Sequence, residues 1–235
     1  GGDNALGDWR RVAEEASRHP EVAAAAPYVM AQNMLTFDQA VQGAIVRGIL
    51  PELEGGVAQF SSHMKLGRLE DLRAGEFGIV LGSELARALG VRLGDKVVVM
   101  APQGQVTPAG VVPRLKQFTV KGIFEVGMYE YDYGLALIHL DDAARLYRMG
   151  DRVSGVRLAL KDLYSAPQVS RELMDLMRGD FYISDWTRQH ANFFRAIQIE
   201  KNVMFIILLL IVAVAAFNII STLVMAVTDK QADIA

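Results

Sequence analysis

The chain has 235 residues, with 24 Lys and Arg against 27 Asp and Glu, a formal net charge of −3 and a hydrophobic content of 51%. It has no cysteine, which excludes disulfides and zinc–cysteine sites, and its near-balanced charge argues against a nucleic-acid-binding surface. Because residues 202–228 contain no charged side chain and no histidine, the composition predicts a water-soluble domain followed by one membrane segment.

The first 185 residues are predicted to form an α+β domain. In chain order, the periodicity predicts a helix at 5–18, strands at 28–37 and 42–49, an irregular or short helical stretch at 51–67, a strand at 77–81, a helix at 83–89, strands at 95–100, 118–124 and 134–140, a helix at 141–147, a strand at 153–160 and a helix at 165–177. No regular βαβ period appears, which favours the α+β class. The order indicates two subdomains, of which the smaller sheet subdomain covers about 75–151.

The connection at 102–117 is unusually long for two strands that would otherwise form an ordinary hairpin. Hairpin loops usually have two to five residues, so a connection of this length is typical of functional or disordered segments. It carries three prolines, Pro102, Pro108 and Pro113, and its valines make it more apolar than a disordered loop. We therefore predict a protruding arm that offers apolar and basic groups to a partner; a mobile surface loop is the alternative.

Residues 203–228 are predicted to form a transmembrane helix, because about 20 residues suffice to cross the roughly 30 Å hydrocarbon core. The preceding residues 186–202 lack Gly and Pro, so we predict one continuous helix of about 40 residues, with 186–202 as a stalk beginning after Asp185 and 229–235 beyond the membrane. Four residues in the span are predicted to pack against other helices: Phe217, Asn218, Ser221 and Thr222. Ser221 and Thr222 could instead bond to their own helix.

No catalytic pattern stands out. The sequence contains no HExxH, no GxxxxGK[ST] phosphate loop and no GxSxG. The four histidines have no metal-ligand spacing; they are His19, His63, His139 and His190. We therefore predict no catalytic residue, no metal site and no cofactor on this chain, although a membrane-anchored hydrolase-like enzyme stays as a distant alternative.

The stretches 195–235 and 75–90, together with Asp185-Trp186, resemble the LolC/LolE family of membrane subunits of lipoprotein-releasing ABC transporters. The resemblance covers nearly the whole chain and implies a MacB-like periplasmic core fold. It also implies a bacterial inner-membrane protein, periplasmic up to about residue 201 and cytoplasmic beyond about 228. The chain begins without an initiator Met, and we expect it to be a piece of a longer protein that has three further transmembrane helices.

The resemblance also implies partners. In the family, the cytoplasmic ATPase LolD binds ATP and Mg²⁺, and a LolC-type subunit docks the periplasmic chaperone LolA through a hairpin arm called the Hook. The run 107–113 resembles the Hook, and Lys116 corresponds to a basic residue of the neighbouring surface, so the expected chaperone-binding residues are Val106, Thr107, Pro108, Ala109, Gly110, Val111, Val112, Pro113, Arg114 and Lys116.

Two positions depart from the family pattern, because Val98 and Leu115 stand where some members have polar side chains. The arm is also about one residue shorter than in some members. The second membrane subunit would be LolE, as in the LolCDE complex, or a second copy of a LolF-type chain. A MacB-like or FtsX-like subunit acting on another substrate or partner is the alternative, although those proteins lack the Pro-Gly-Pro arm.

Overall fold

The computed structural model describes residues 5–107, 110–177, 182–185 and 191–232. They fall into two compact units, one ending at Phe181 and the other beginning at Tyr182. The first unit contains six α-helices and eight strands among its described residues, which confirms the α+β class.

The helices of the first unit are α1 (Trp9–Ser17), α2 (Pro51–Val57), α3 (Ser83–Leu89), α4 (Tyr129–Gly134), α5 (Leu140–Tyr147) and α6 (Ala166–Leu176). The strands are β1 (Val22–Phe37), β2 (Ala40–Ile49), β3 (Met64–Leu66), β4 (Gly78–Gly82), β5 (Lys96–Thr107), β6 (Gly110–Phe124), β7 (Leu135–His139) and β8 (Gly155–Leu160). Every helix and strand expected from the periodicity is present. Most bounds agree within a few residues, but β1 begins six residues earlier, β5 ends seven residues later and β6 begins eight residues earlier than expected.

Six strands pair around a closed ring. β1 lies antiparallel to β2 and to β5, β2 parallel to β7, β7 antiparallel to β4, β4 parallel to β6, and β6 antiparallel to β5. The ring cannot close without β1 and β2, which precede residue 75. The sheet expected within 75–151 therefore extends beyond that range, because four of its strands pair with two from the N-terminal part.

Inward-facing side chains of the ring pack with α3 and α5 to form the larger core. Its buried members include Leu35, Val46, Ile79, Leu81, Leu85, Val97, Val99, Phe118, Val120, Ile138, Ala143 and Tyr147. β4 and β7 are buried on both faces because a second apolar cluster covers their outer side. That cluster contains Ile49, Phe60, Leu69, Leu72, Val80, Phe124, Leu135 and Leu137. Burial of both faces of β4 and β7 therefore stabilises the ring.

β1 begins earlier than the sequence predicts, at Val22 instead of Tyr28. The additional stretch is alanine-rich, and alanine has the strongest intrinsic preference for helix. It is a strand because it pairs antiparallel with β8, from Val22 opposite Leu160 to Tyr28 opposite Gly155. Long-range pairing therefore overrides local propensity here.

The second unit contains α7, a 42-residue helix from Ala191 to Ala232. The predicted continuous helix is confirmed over that range, with no break at the expected junction of stalk and membrane segment; its expected beginning at 186–190 lies outside the described residues. The 29 residues Ile199–Val227 have a mean hydropathy of 3.1 and are long and apolar enough to cross a membrane.

Candidate partner-binding site

The base of the β5–β6 hairpin belongs to the ring. We call residues 96–101 of β5 and 114–119 of β6 the inner hairpin. On one side Met34–Thr36 of β1 pair with Val98–Met100, and on the other β4 begins to pair at Thr119. Val97, Val99 and Phe118 have no exposed surface, so the inner hairpin is held by the core.

The two strands continue beyond the ring. In what we call the outer hairpin, residues 102–107 and 110–113, Gln105 pairs with Val112, Val106 with Val111 and Thr107 with Gly110. Among the strand pairs of the described residues, these segments pair only with each other. The predicted arm is therefore a two-stranded extension of β5 and β6. Pro108 and Ala109, which stand between Thr107 and Gly110 in the sequence, lie outside the described residues.

A bulge separates the inner and outer hairpin. From the pair Ala101–Arg114 to the pair Gln105–Val112, β5 advances four residues while β6 advances two. Pro102 and Pro113 lie in this interval, and proline has no N–H to donate to a ladder. A bulge accommodates both prolines and changes the direction of the strands that follow.

Alternation along the strands separates the expected contact residues into two sets. Met100 pairs with Leu115 and Val98 with Gln117, and these side chains point away from the core; Leu115 is 57% exposed. Val99 pairs with Lys116 on the opposite face, which is the face of the core. Lys116 therefore lies on the face opposite Val98 and Leu115.

Lys116 is on the inward face of the ring of strands, yet it is exposed to solvent. Its ammonium Nζ is 3.9 Å from the centre of the Phe77 ring, a cation–π contact. Phe77 packs edge-on against Phe118, with ring centres 5.6 Å apart. The lysine thus has an exposed charge at a position defined by an aromatic pair.

A buried carboxylate holds the loop that carries Phe77. Asp142, fully buried in the first turn of α5, accepts hydrogen bonds from the backbone N–H groups of Gly75 (2.8 Å) and Phe77 (3.0 Å). The Phe77 carbonyl accepts from the N–H of Thr119 at 2.9 Å. These bonds stabilise Phe77 at a φ of +50°, a conformation that is rare for a bulky residue.

Sequence reasoning did not assign Phe77 or Asp142 to the site. Phe77 is predicted as the start of a strand and lies in the stretch 75–90 that carries the family resemblance, and Asp142 is predicted only as part of the helix at 141–147. A signal did exist, because an acidic residue in the first turn of a helix is well placed to accept backbone N–H groups. Its partners, however, are 65 and 67 residues away in sequence.

The remaining predicted contact residues are placed by the hairpin. Pro113 is exposed, and Arg114 is half-buried, with an Nε that has no hydrogen-bond partner among the described residues. Five others have backbone positions in the outer ladder or at its ends: Val106, Thr107, Gly110, Val111 and Val112. Eight of the ten expected residues therefore lie on one continuous hairpin.

The four predicted packing residues of α7 all lie within the span Ile199–Val227. The Thr222 hydroxyl Oγ1 donates to the carbonyl oxygen of Asn218 at 2.8 Å, so Thr222 bonds to its own helix. Asn218 and Thr222 lie four residues apart and share a face, while Phe217 and Ser221 share the adjacent face. Their packing against another helix stays a prediction.

Among the described residues, no three or more His, Asp or Glu side chains gather as a metal-binding group. A cavity of about 90 Å³ lies between α1 and α5, where Trp9, Leu50 and Leu140 line it together with Asp141. None of its lining residues belongs to the hairpin.

Comparison with known proteins agrees with this architecture. The family model of the MacB-like periplasmic core domain matches residues 2–176. The chain is 49% identical over 234 residues, 99% of its length, to the lipoprotein-releasing system transmembrane protein LolC of Neisseria meningitidis. It is 46% identical over 228 residues, 97% of its length, to the LolC protein of Xylella fastidiosa. It spans 56% and 55% of those two relatives, about half of their length.

Among solved structures, the periplasmic region of MacB from Actinobacillus actinomycetemcomitans is similar in fold. The TM-score is 0.51 at 14% identity, with 80% of this chain and 82% of that chain covered. At this identity the similarity shows the fold alone. The fold and the identities to LolC proteins over nearly the whole of this chain lead to one conclusion: the chain belongs to the LolC/LolE family and carries a MacB-like periplasmic core domain.

Proposed function

We propose that this chain is part of a membrane subunit of a lipoprotein-releasing ABC transporter and that its outer hairpin docks the periplasmic chaperone LolA. The observation that carries the proposal is the extension of β5 and β6 beyond the ring as a ladder of their own. The ring is stabilised by its core, so the outer hairpin is free to serve recognition. Its valines and prolines supply apolar contacts, and the rigid prolines lower the entropy lost on binding.

The chemistry of the lipoprotein substrate explains why the subunits would have separate roles. An acyl chain costs about 0.8 kcal/mol per CH₂ to move from lipid to water, so transfer of a lipoprotein requires work and a waiting acceptor. In this proposal the work comes from ATP and Mg²⁺ bound by a separate ATPase, LolD. This chain contributes no catalysis: the hairpin holds the acceptor, and α7, which is continuous from Ala191 to Ala232, carries motion across the inner membrane.

The membrane assembly requires a second subunit, which we propose to be LolE or a second copy of this chain. The face of α7 that includes Asn218 would pack against another helix of that assembly, because polar side chains in a membrane span favour helix–helix contacts. The first unit would face the periplasm. Both relatives named above are LolC proteins, which favours the LolC type.

The test is LolA binding by the whole chain in lipid nanodiscs, with and without the outer hairpin. Replacing residues 102–113 by Asn-Gly joins Ala101 to Arg114, which already pair, through a two-residue turn suited to hairpins. We expect LolA affinity to fall at least tenfold with an unchanged circular dichroism spectrum. Met128→Ser is the control, since it removes a 52% exposed apolar side chain elsewhere on the unit. Equal affinity of the shortened and unchanged chains would contradict the docking role.

A MacB-like or FtsX-like role in transmitting motion to another partner is the second candidate, since the match to the MacB-like periplasmic core domain over residues 2–176 is compatible with it as well. The same titration separates the two candidates. A folded chain that binds no LolA, whether or not the hairpin is present, would support the second.

A further inference from the structure

We propose that the outward face of β1 and β2 binds an anionic phospholipid, with its phosphate on Arg47 and an alkyl chain along a strip of exposed apolar side chains. The inference goes beyond the proposed docking function and does not depend on it. We call the four large apolar side chains exposed on this face the β1–β2 strip; they are Met30 (43% exposed), Met34 (44%), Val41 (51%) and Ile45 (40%).

The register of the two strands places the β1–β2 strip on one surface. In β1 its members alternate with Val29 and Leu35 of the larger core, so the strip points away from that core. Met30 pairs with Arg47, and the other members lie on the same face, nearer the turn that joins the two strands. The strip therefore begins beside Arg47 and extends toward that turn.

Two arginines and one buried carboxylate lie on the same outward face. The Glu54 carboxylate on α2 is 1% exposed, and the guanidinium of Arg157 on β8 binds it. Within the described residues, no carboxylate lies within 4 Å of the Arg47 guanidinium, which contacts the thioether sulfur of Met30 at 3.9 Å. A thioether is a weak acceptor, so the charge of Arg47 has no strong partner.

The environment of Arg47 is unfavourable for a positive charge. The side chain is half-buried, and burial lowers the pKa of its guanidinium. The charge of Arg157 lowers that pKa further, by more than the charge of Glu54 raises it. Arginine nevertheless stays protonated at neutral pH. An anion would compensate this charge, and the planar guanidinium offers two parallel N–H donors to phosphate oxygens.

A phospholipid fits both parts of this surface. Its phosphate supplies the acceptor oxygens that Arg47 lacks, and its alkyl chain covers apolar side chains that otherwise face water. Methionine is flexible and polarisable, so Met30 and Met34 can adapt to a chain of no fixed shape. A purely acidic protein segment would leave the strip uncovered. The protein also has a helix long and apolar enough to cross a membrane, and a membrane supplies phospholipids.

Alkyl phosphates are soluble probes of such a site. The whole chain in phosphatidylcholine nanodiscs is titrated with inorganic phosphate and with butyl, hexyl and octyl phosphate, while NMR follows ¹³C-labelled methionine methyl groups. We expect inorganic phosphate to shift the Met30 signal alone and octyl phosphate to shift Met34 as well. Each added CH₂ should raise the affinity about twofold, since the strip covers one side of the alkyl chain. Met128, 52% exposed elsewhere on the first unit, should not shift.

Three variants separate the contact of the phosphate from that of the alkyl chain. Arg47→Met should weaken octyl phosphate binding about tenfold, the effect of losing hydrogen bonds between charged groups. Arg92→Met is the matched control, because Arg92 is an exposed arginine in the turn before β5, and it should bind like the unchanged chain. Ile45→Thr should keep the affinity for inorganic phosphate and lower the gain per CH₂.

Thermal denaturation shows whether the charge of Arg47 is needed by the fold. Arg47→Met should unfold at the same temperature as the unchanged chain or higher, because it removes repulsion from Arg157. Arg157→Met should unfold at a lower temperature, because Glu54 would then be buried without a partner. Equal destabilisation of both variants would overturn the premise that the Arg47 charge is available to a ligand.

The titrations can contradict the inference in three ways. No binding of octyl phosphate, or equal affinities of Arg47→Met and the unchanged chain, would overturn it. Affinities that do not depend on alkyl length would overturn the lipid assignment in favour of free phosphate. Binding of tetraglutamate without binding of octyl phosphate would overturn it in favour of an acidic protein partner. None of these measurements involves LolA, so their failure is distinct from failure of the docking function.

Discussion

The inner and outer parts of one hairpin follow different physical rules. The inner hairpin is bracketed by β1 and β4 and buries Val97, Val99 and Phe118, whereas the outer hairpin pairs only with itself among the described residues. A two-stranded ribbon alone is marginally stable in water, so the outer part depends on the inner part for its register. The difference indicates that the core holds the inner hairpin, whereas the outer hairpin has no strand partner but itself among the described residues.

The largest expected effect on the free energy of unfolding comes from a substitution in the inner hairpin. Phe118→Ala should lower the free energy of unfolding by about 3–5 kcal/mol, because it empties a fully buried site that packs on Phe77. Leu115→Ala, three residues away and 57% exposed, should change it by less than about 0.5 kcal/mol. Chemical denaturation followed by circular dichroism measures both. Similar losses for the two variants would contradict the core-anchored inner hairpin.

The core beneath β1 should make stability depend on alkaline pH. Burial raises the pKa of Tyr147 to about 12, although the hydrogen bond that its hydroxyl accepts from Asn33 acts in the opposite direction. The unfolded chain loses this proton near pH 10 and the folded chain near 12, so the stabilisation is complete below 10 and decreases between those values. The expected loss is about 2–3 kcal/mol.

The control for this pH dependence is Tyr147→Phe, measured by denaturation at pH 9 and pH 12 beside the unchanged chain. The variant should lose less stability than the unchanged chain between the two pH values, because position 147 then has no proton to lose. Equal losses would show that Tyr147 does not contribute to the alkaline instability.

Replacing the buried carboxylate that binds the Phe77 loop should destabilise the protein. Asp142→Asn replaces one of two acceptor oxygens by an NH₂ group, which leaves a buried backbone N–H unpaired and should cost about 1–3 kcal/mol. Asp141→Asn is the matched control, since the Asp141 side chain is 60% exposed. Thermal denaturation of both variants measures the difference, and a tolerant Asp142→Asn would mean that the loop is held by its other contacts.

The smallest effect is expected in the outer hairpin. Pro113→Ala should change the free energy of unfolding by less than about 0.5 kcal/mol, because the residue is exposed and lies in the bulge between two registers. The same change should weaken LolA binding if the outer hairpin is the docking element. A strongly destabilised Pro113→Ala would show that the outer hairpin also supports the ring.

Local signals predicted much of this fold. The periodicity of α3 and α5 and the glycine after α3, which adopts a φ of +74°, are visible in a short window of sequence. The uncharged run of α7 is equally local. Closure of the ring is not a local signal, because β1 pairs with β5 and β2 pairs with β7 across long stretches of chain. Pairing with β8 likewise turns the alanine-rich start of β1 into a strand.

The candidate site shows the same limit. The prolines, the glycines and the length of the connection predict an arm, and the family resemblance implies its partner. The sequence does not predict on which face of the hairpin each side chain lies, because that depends on the register of β5 against β6 and on the bulge after Ala101. The Phe77–Lys116 contact joins residues 39 positions apart in sequence, so no local pattern could have shown it.

The most direct test of the account is a photo-crosslink from the outer hairpin to LolA. A photoreactive amino acid at position 111 of the chain in nanodiscs should form a LolA adduct on illumination, because Val111 lies in the outer ladder opposite Val106. The same group at position 93, where Leu93 is 43% exposed in the turn before β5, should form none. No adduct from position 111, or equal yields from both positions, would contradict the claim that the outer hairpin docks the chaperone.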